Sequence, residues 1–303
     1  MLPVKEIQTS ADGTVKFLLQ LAEGNLIETV YMLHPYGGSV CVTSQAGCSM
    51  GCAFCASGLL KKQRNLQAEE MLAQVETVKA YLQEKAEEEQ TEAVPLSHIV
   101  VMGTGEPFDN YEEVIRFCDL VTEEPYRIAP RHLTVSTCGL VPQIRRFINT
   151  KKRYNLAISL HAPDNEVRNR LMPVNRKYPL EELLPAAADY CRATKRRVTF
   201  EYILLEDMND SKEQAEKLAA LLRTEETHDL FYVNLIPYNS VRENDFRGTD
   251  KEQALVFYDT LMKHGIKATL RKERGGDIAA ACGQLRFQHR MQDSGADAIE
   301  NKK

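Results

Sequence analysis

Three cysteines fall within eight residues, in the segment Gly47-Cys48-Ser-Met-Gly-Cys52-Ala-Phe-Cys55. Clustered thiolates of this kind bind soft metals. A structural zinc wants four ligands, usually from paired C-x2-C knuckles, and no second cysteine pair exists in this sequence. A [4Fe–4S] cluster wants a terminal ligand on each iron, usually a thiolate. Three cysteines on one tight loop serve three irons and leave the fourth open to another ligand. That is the arrangement of a catalytic cluster rather than of a simple electron carrier. A zinc-bearing binding module and incidental buried thiols are the competing readings. The spacing, the adjacent Phe54 and the position after a strand argue against incidental thiols.

The remaining cysteines are Cys41, Cys118, Cys138, Cys191 and Cys282. Cys118 and Cys191 fall in helical patterns and read as core residues. Cys138 lies beside Ser136 at a strand end. Without a basic segment followed by an apolar one in the first thirty residues, no secretory signal is legible. The chain is therefore expected in the cytoplasm, where structural disulfides are rare.

These residues must be carried by a scaffold of 303 residues, with 43% hydrophobic and 27% charged side chains. That balance excludes collagen-like, disordered and disulfide-scaffold classes. No run of about 18 apolar residues is present, so no membrane helix is expected. The net charge is −5, which is not that of a non-specific nucleic-acid binder, so any RNA contact must rest on local basic patches. Candidates are Lys61, Lys62 and Arg64; Arg145 and Arg146; Lys151 to Arg153; and Arg192 with Lys195 to Arg197. The first group follows the cysteine loop and is placed to meet phosphates at the mouth of a site.

Two apolar runs in residues 14–32 flank Gly24 and Asn25, which predicts a hairpin. Seven strand-like runs follow, at 39–45, 97–103, 131–137, 154–160, 196–205, 231–237 and 266–271. Amphipathic helical stretches lie between them, for example 68–83, 213–223 and 251–265, the last capped by Gly265. The acidic run at 84–92 reads as a solvated helix end. Apolar strands alternating with helices predict a parallel α/β sheet. Six or seven such units fit a closed or partly closed barrel.

The C-x3-C-x2-C loop closely resembles that of the radical S-adenosylmethionine (SAM) enzymes. Six further stretches narrow the resemblance: IETVYM, GTGEPFDNY, HLTVSTCGLVPQI, LAISLHAPDNEVRNRLMPVN, VNLIPYN and DIAAACGQL. Together with the extended loop CVTSQAGCSMGCAFC they resemble the RlmN/Cfr family of RNA adenosine methyltransferases. The resemblance covers about Gly24 to about Leu285. It implies an α/β fold of the radical-SAM partial (β/α)6-barrel type with a small N-terminal β-hairpin extension. Residues 1–37 would form the extension, 38–287 the barrel with a methyl-carrier segment, and 288–303 a disordered tail. Family members usually carry an N-terminal helical accessory domain, and this sequence begins just before the hairpin, without it.

By the same resemblance, Cys48, Cys52 and Cys55 hold a [4Fe–4S] cluster whose open iron chelates SAM. Cleavage of SAM yields a 5′-deoxyadenosyl radical. Two SAM molecules are used per turnover, one of them to methylate a carrier cysteine. Cys282 is that carrier, Cys41 resolves the protein–RNA link by forming a disulfide with it, and Glu28 takes a proton from the adduct. Nearby cations, Arg271, Lys272 and Arg274, would favour thiolate character at Cys282. For SAM the resemblance implicates Gly105, Glu106, Ser136, the run Ser159-Leu160-His161, and Asn239. All of these fall at or after strand ends, where an α/β barrel places its site. Pro107 and VNLIPYN favour attack at adenine C2, in 23S rRNA, tRNA or both, over a C8-directed Cfr-like reaction. A radical-SAM enzyme acting on a non-RNA substrate is the further alternative. A buried radical requires an unstacked or flipped base. The implied partners are RNA and an external electron donor such as flavodoxin, for a monomeric enzyme that does not touch a membrane.

Overall fold

The computed structural model describes residues 1–59, 61–150, 152–224, 226–239, 245–272, 275 and 278. Ten strands form one sheet. The first three are β1 (Val4–Thr9), β2 (Val15–Gln20) and β3 (Leu26–His34), each antiparallel to the next. β3 pairs antiparallel with β4 (Gly37–Cys41). From β4 onward all neighbours are parallel: β7 (Leu96–Val101), β8 (Leu133–Thr137), β9 (Asn155–Ser159), β10 (Val198–Leu204), β11 (Phe231–Pro237) and β12 (Lys267–Leu270). A two-stranded ribbon, β5 (Gln45–Ala46) with β6 (Arg64–Asn65), closes the base of the cysteine loop.

Helices make the six crossovers between the parallel strands. They are α1 (Ala68–Glu89), α2 (Tyr111–Thr122), α3 (Val141–Ile148), α4 (Asn165–Leu171) with α5 (Leu180–Thr194), α6 (Lys212–Leu222) and α7 (Lys251–Lys263). The strands sort their side chains by parity, because successive residues point to opposite faces. Ile99, Val101, Leu133, Val135, Leu156, Ile158, Phe200, Tyr202, Val233 and Leu235 join the core beneath the helices. The intervening positions Val100, Ser136, Ser159, Glu201 and Ile203 face inward, onto a cavity. This is the expected α/β barrel architecture, left open because β1 and β12 are the two edges of the sheet.

Gly265 does end the last helix. It sits at φ +78°, its N–H reaches the Met262 carbonyl at 3.0 Å, and Ile266 N–H reaches Leu261 O at 3.0 Å. That pair is a Schellman motif. The antiparallel part is larger than the single predicted hairpin. β1 escapes a sequence reading because its pattern VKEIQT is charged and mostly exposed, so little hydrophobic periodicity marks it. The first parallel strand stops at Cys41 rather than running to Gln45. Thr43 and Ser44 instead bond the loop after β7. The expected tail at 288–303 lies outside the described residues.

Candidate active site

The cysteine loop leaves the carboxyl end of β4 and is fastened at several points. Ala53 N–H bonds the Leu171 carbonyl at the end of α4 at 2.9 Å, and Tyr238, after β11, donates its hydroxyl to Phe54 O at 3.1 Å. The Phe54 ring meets His161 edge-on at 4.9 Å between centroids. Cys48, Cys52 and Cys55 all line one cavity of about 420 Å³ at the carboxyl ends of the parallel strands. Burial pushes the Cys48 thiol up to about 11, and raises Cys52 further, with the neighbouring thiols and Glu106 adding to both.

The loop after β7 packs directly on the segment that leads into the cysteines. Ser44 and Gln45 N–H groups both bond Thr104 O at 3.1 Å, and Glu106 N–H bonds Gln45 Oε1 at 2.9 Å. Gly105 has φ +112°, and a Cβ there would stand 2.7 Å from the Gln45 Cβ. Only glycine allows this approach. Glu106 is buried, and its carboxylate accepts from Phe108 N–H at 3.0 Å and Cys138 N–H at 2.7 Å. Burial raises its pKa against those two bonds. The Thr137 and Cys138 side chains also hydrogen-bond this carboxylate, which lines the cavity where a ligand's donor can share its acceptor sites.

Ser136, Ser159, His161 and Asn239 line the same cavity. His161 is held at φ +56°, and its Nδ1 accepts from Ile203 N–H at 3.1 Å. That leaves the ring proton on Nε2. Burial, then Arg168, lowers its pKa to about 3, so the ring is neutral. Leu160 departs from expectation. Its side chain is fully buried in the core, its N–H bonds Glu201 O at 3.0 Å, and its carbonyl accepts from Arg168. The strand's parity turns it away while its two neighbours turn in.

Cys41 lines the large cavity and also a small recess shared with Glu28. Glu28 does not reach the large cavity. It is buried on β3, with Lys16 Nζ from β2 at 2.9 Å from Oε2. Cys138 lines the cavity, while Cys118 and Cys191 are core residues. Lys62 and Arg64, beside the cysteine loop in sequence, are engaged in ion pairs. Lys62 pairs with Asp109 at 2.7 Å, and Arg64 with Glu70 at 2.6 Å and Glu23 at 2.7 Å. Cys282 lies outside the described residues. Earlier on the same stretch of chain, Arg271 and Lys272 line the cavity and Gly275 N–H bonds Asp12 Oδ2 at 3.1 Å. The chain beyond β12 thus bridges toward the β1–β2 turn, on the side of Cys41.

Sequence reasoning missed several buried ionic groups, among them Lys16, Glu201 and Arg168. Glu201 lines the cavity wall, shares a register row with Ser159 and Asn234, and accepts from Asn234 Nδ2 at 2.7 Å. Its pKa is raised by burial to about 6, opposed by Arg271 and Asn234. Arg168 on α4 is fully buried. An inward charge in an apolar strand pattern was the available signal for Glu201.

The profile of the Radical SAM superfamily matches residues 42–219. A probable dual-specificity RNA methyltransferase RlmN of Streptococcus sanguinis is 50% identical, over 99% of this chain and 82% of its own length. The corresponding protein of Enterococcus faecalis is 53% identical, over 94% and 79%. The chain belongs to the RlmN family of radical SAM methyltransferases. The crystal structure of a radical SAM methyltransferase from Sphaerobacter thermophilus superposes with a TM-score of 0.87 at 43% identity, covering 93% of this chain and 80% of that one. A spore photoproduct lyase variant, 13% identical with a TM-score of 0.52, shares the fold.

As in any radical SAM enzyme, the cofactors are a [4Fe–4S] cluster and SAM, and the donor set fits them. The three thiols are partly exposed at the cavity, and Cys48 and Cys52, held above the ordinary thiol range, become thiolates beside a cation. The three thiols line one cavity and offer one ligand each to three irons of such a cluster. The remaining volume carries the polar groups and apolar walls that a SAM-sized ligand needs.

Proposed function

We propose that this RlmN-family chain methylates C2 of an adenosine in 23S rRNA, tRNA or both. In this reading Cys48, Cys52 and Cys55 hold the cluster, and Glu106, Ser136, Ser159, His161 and Asn239 hold SAM, with Gly105 giving the backbone room. The carrying observation is that the three loop thiols and Cys41 line one cavity together with Arg271 and Lys272, the latter ten residues before Cys282 in the sequence. From Gly275 to Cys282 is seven residues, at most about 25 Å of extended chain, enough to bring the carrier thiol to that cavity.

When bound, the cluster and SAM supply the methyl group and the radical chemistry that an unreactive ring carbon requires. The chain supplies the rest. Cys282 carries the methyl group. Cys41, fixed at the end of β4, attacks the carrier sulfur, so that a disulfide forms as the carbon–sulfur bond to RNA breaks. Glu28 is assigned the proton of the adduct through the small recess it shares with Cys41, and Lys16 on β2 fixes the position of its carboxylate. Pro107 and VNLIPYN support C2 over C8. Residues 1–37 serve as an extension of the barrel domain at 38–287. We place the enzyme in the cytoplasm, as a monomer supplied by an external one-electron donor such as flavodoxin. No described helix is long and apolar enough to cross a membrane.

The test is anaerobic incubation of the reconstituted protein with SAM, reductant, and separate 23S rRNA and tRNA pools, followed by nucleoside mass spectrometry. The expected product is 2-methyladenosine. Cleavage of SAM with no methylated adenosine in either pool would overturn the RNA assignment, and 8-methyladenosine would overturn the position.

A further inference from the structure

Arg168 is the largest fully buried side chain among the described residues. Its Nε bonds Leu160 O at 3.1 Å, Nη1 bonds Asn175 Oδ1 at 2.8 Å, and Nη2 bonds both Cys138 O at 2.7 Å and Ser159 O at 3.0 Å. Every one of these acceptors is a neutral oxygen. A guanidinium taken out of water without a carboxylate partner is costly, and such a charge persists where something anionic compensates it. The thiols of Cys138 and Cys52 are the groups whose ionised forms pull on it electrostatically.

Its backbone neighbourhood is equally specific. Leu171, one helical turn on, accepts from Ala53 in the cysteine loop at 2.9 Å. The same short helix therefore clamps the cysteine loop through a carbonyl and the ends of β8 and β9 through a guanidinium. Cys138 and Ser159, whose carbonyls Arg168 holds, line the cavity on either side.

We propose that Arg168 is a positioning residue of the cofactor site: it fixes the carboxyl ends of β8 and β9, and its permanent positive charge balances the anionic cysteine loop when the cluster is bound. The inference rests on the cluster reading of Cys48, Cys52 and Cys55. The iron content of the reconstituted parent protein checks that reading separately. A nearby buried cation favours the reduced, more negative cluster, so its removal makes reduction harder. The strand-end role is independent of charge, so it affects SAM binding even when a cation is kept.

The experiment is an anaerobic, EPR-monitored redox titration with SAM titrations alongside, on the parent, Arg168→Gln and Arg168→Lys. In Arg168→Gln the reduction equilibrium is expected to fall at least about tenfold, about 59 mV for a one-electron couple, and SAM to bind about tenfold more weakly. Arg168→Lys should restore the potential but not the SAM affinity, because an ammonium lacks the planar fork. Asn175→Asp serves if the Arg168 variants do not fold. It sets a carboxylate on Nη1 while keeping the guanidinium, and is expected to lower the potential in the same direction. Parent-like potentials in Arg168→Gln, or in Asn175→Asp where that is the variant that folds, overturn the charge role. Parent-like SAM affinity in Arg168→Lys overturns the strand-end role. A parent protein without iron would sink the cluster reading instead.

Discussion

The Lys16 ammonium lies 2.9 Å from the Glu28 carboxylate, with both side chains essentially out of solvent, on adjacent strands β2 and β3. Removing one partner of a buried pair leaves a charge without compensation, at about 3–5 kcal/mol. Lys16→Met should therefore lower unfolding stability by that amount, whereas Lys16→Met with Glu28→Leu should recover most of it. Urea unfolding of the three proteins decides. Equal destabilisation of single and double variants would show that the two side chains do not act as a pair. Glu28→Gln also leaves the Lys16 charge without its partner and should lose stability as Lys16→Met does; assayed where it remains folded, it should still slow methylation about a hundredfold or more.

Gly105 stands at φ +112° with Gln45 against its α-carbon. Gly105→Ala strains that backbone by about 1–3 kcal/mol and pushes the loop before Glu106 off Gln45. SAM affinity, read by equilibrium binding to the reconstituted protein, is expected to fall at least about tenfold. Unchanged affinity would remove this loop from the cofactor site.

Glu201 has its carboxyl raised to about 6 by burial. A raised acid contributes its full stability below the unfolded value near 4.5 and loses it as pH rises through about 6. The difference is about 2 kcal/mol. Glu201→Gln retains an acceptor for Asn234 and cannot ionise. It should match the parent protein near pH 4 and exceed it in stability above about pH 6.5. The difference between the two pH profiles cancels other groups, including His161, whose lowered pKa acts in the opposite direction. Parallel profiles would show that burial does not raise the Glu201 pKa in the fold.

Cys41 shares the recess with Glu28 and lines the cavity. If it is the resolving thiol, Cys41→Ala should methylate its carrier normally and then stall as a covalent protein–RNA adduct. A denaturing gel with labelled RNA reads this directly. Release of methylated RNA at the parent rate would exclude Cys41 from the reaction.

The chemistry was legible where it lies in short contiguous stretches. The spacing of Cys48, Cys52 and Cys55 alone pointed to a cluster with an open iron, because ligand count is a local property. The alternation of strands and helices after Ser39 predicted the parallel sheet, since a parallel connection needs a crossover of this length. Even the inward set is visible once parity is applied, with Ser159 and Glu201 interrupting apolar strands. β1 was not legible, because an exposed edge strand needs no apolar face.

What the chain's order could not convey is which distant charges meet. Lys16 and Arg64 look alike as lone cations in polar surroundings, yet one is buried on Glu28 and the other bridges Glu23 and Glu70 near the surface. Arg168 sits in a motif that marks the family, but its place among the Leu160, Ser159 and Cys138 carbonyls exists only when α4 folds back over the ends of β8 and β9. Leu160 lies between two cavity residues in sequence and faces the core in space. Residue types and local spacing determined the cofactor chemistry. Tertiary packing decided which charges were buried and what they face, because desolvation depends on everything that surrounds a group and not on its neighbours in the chain.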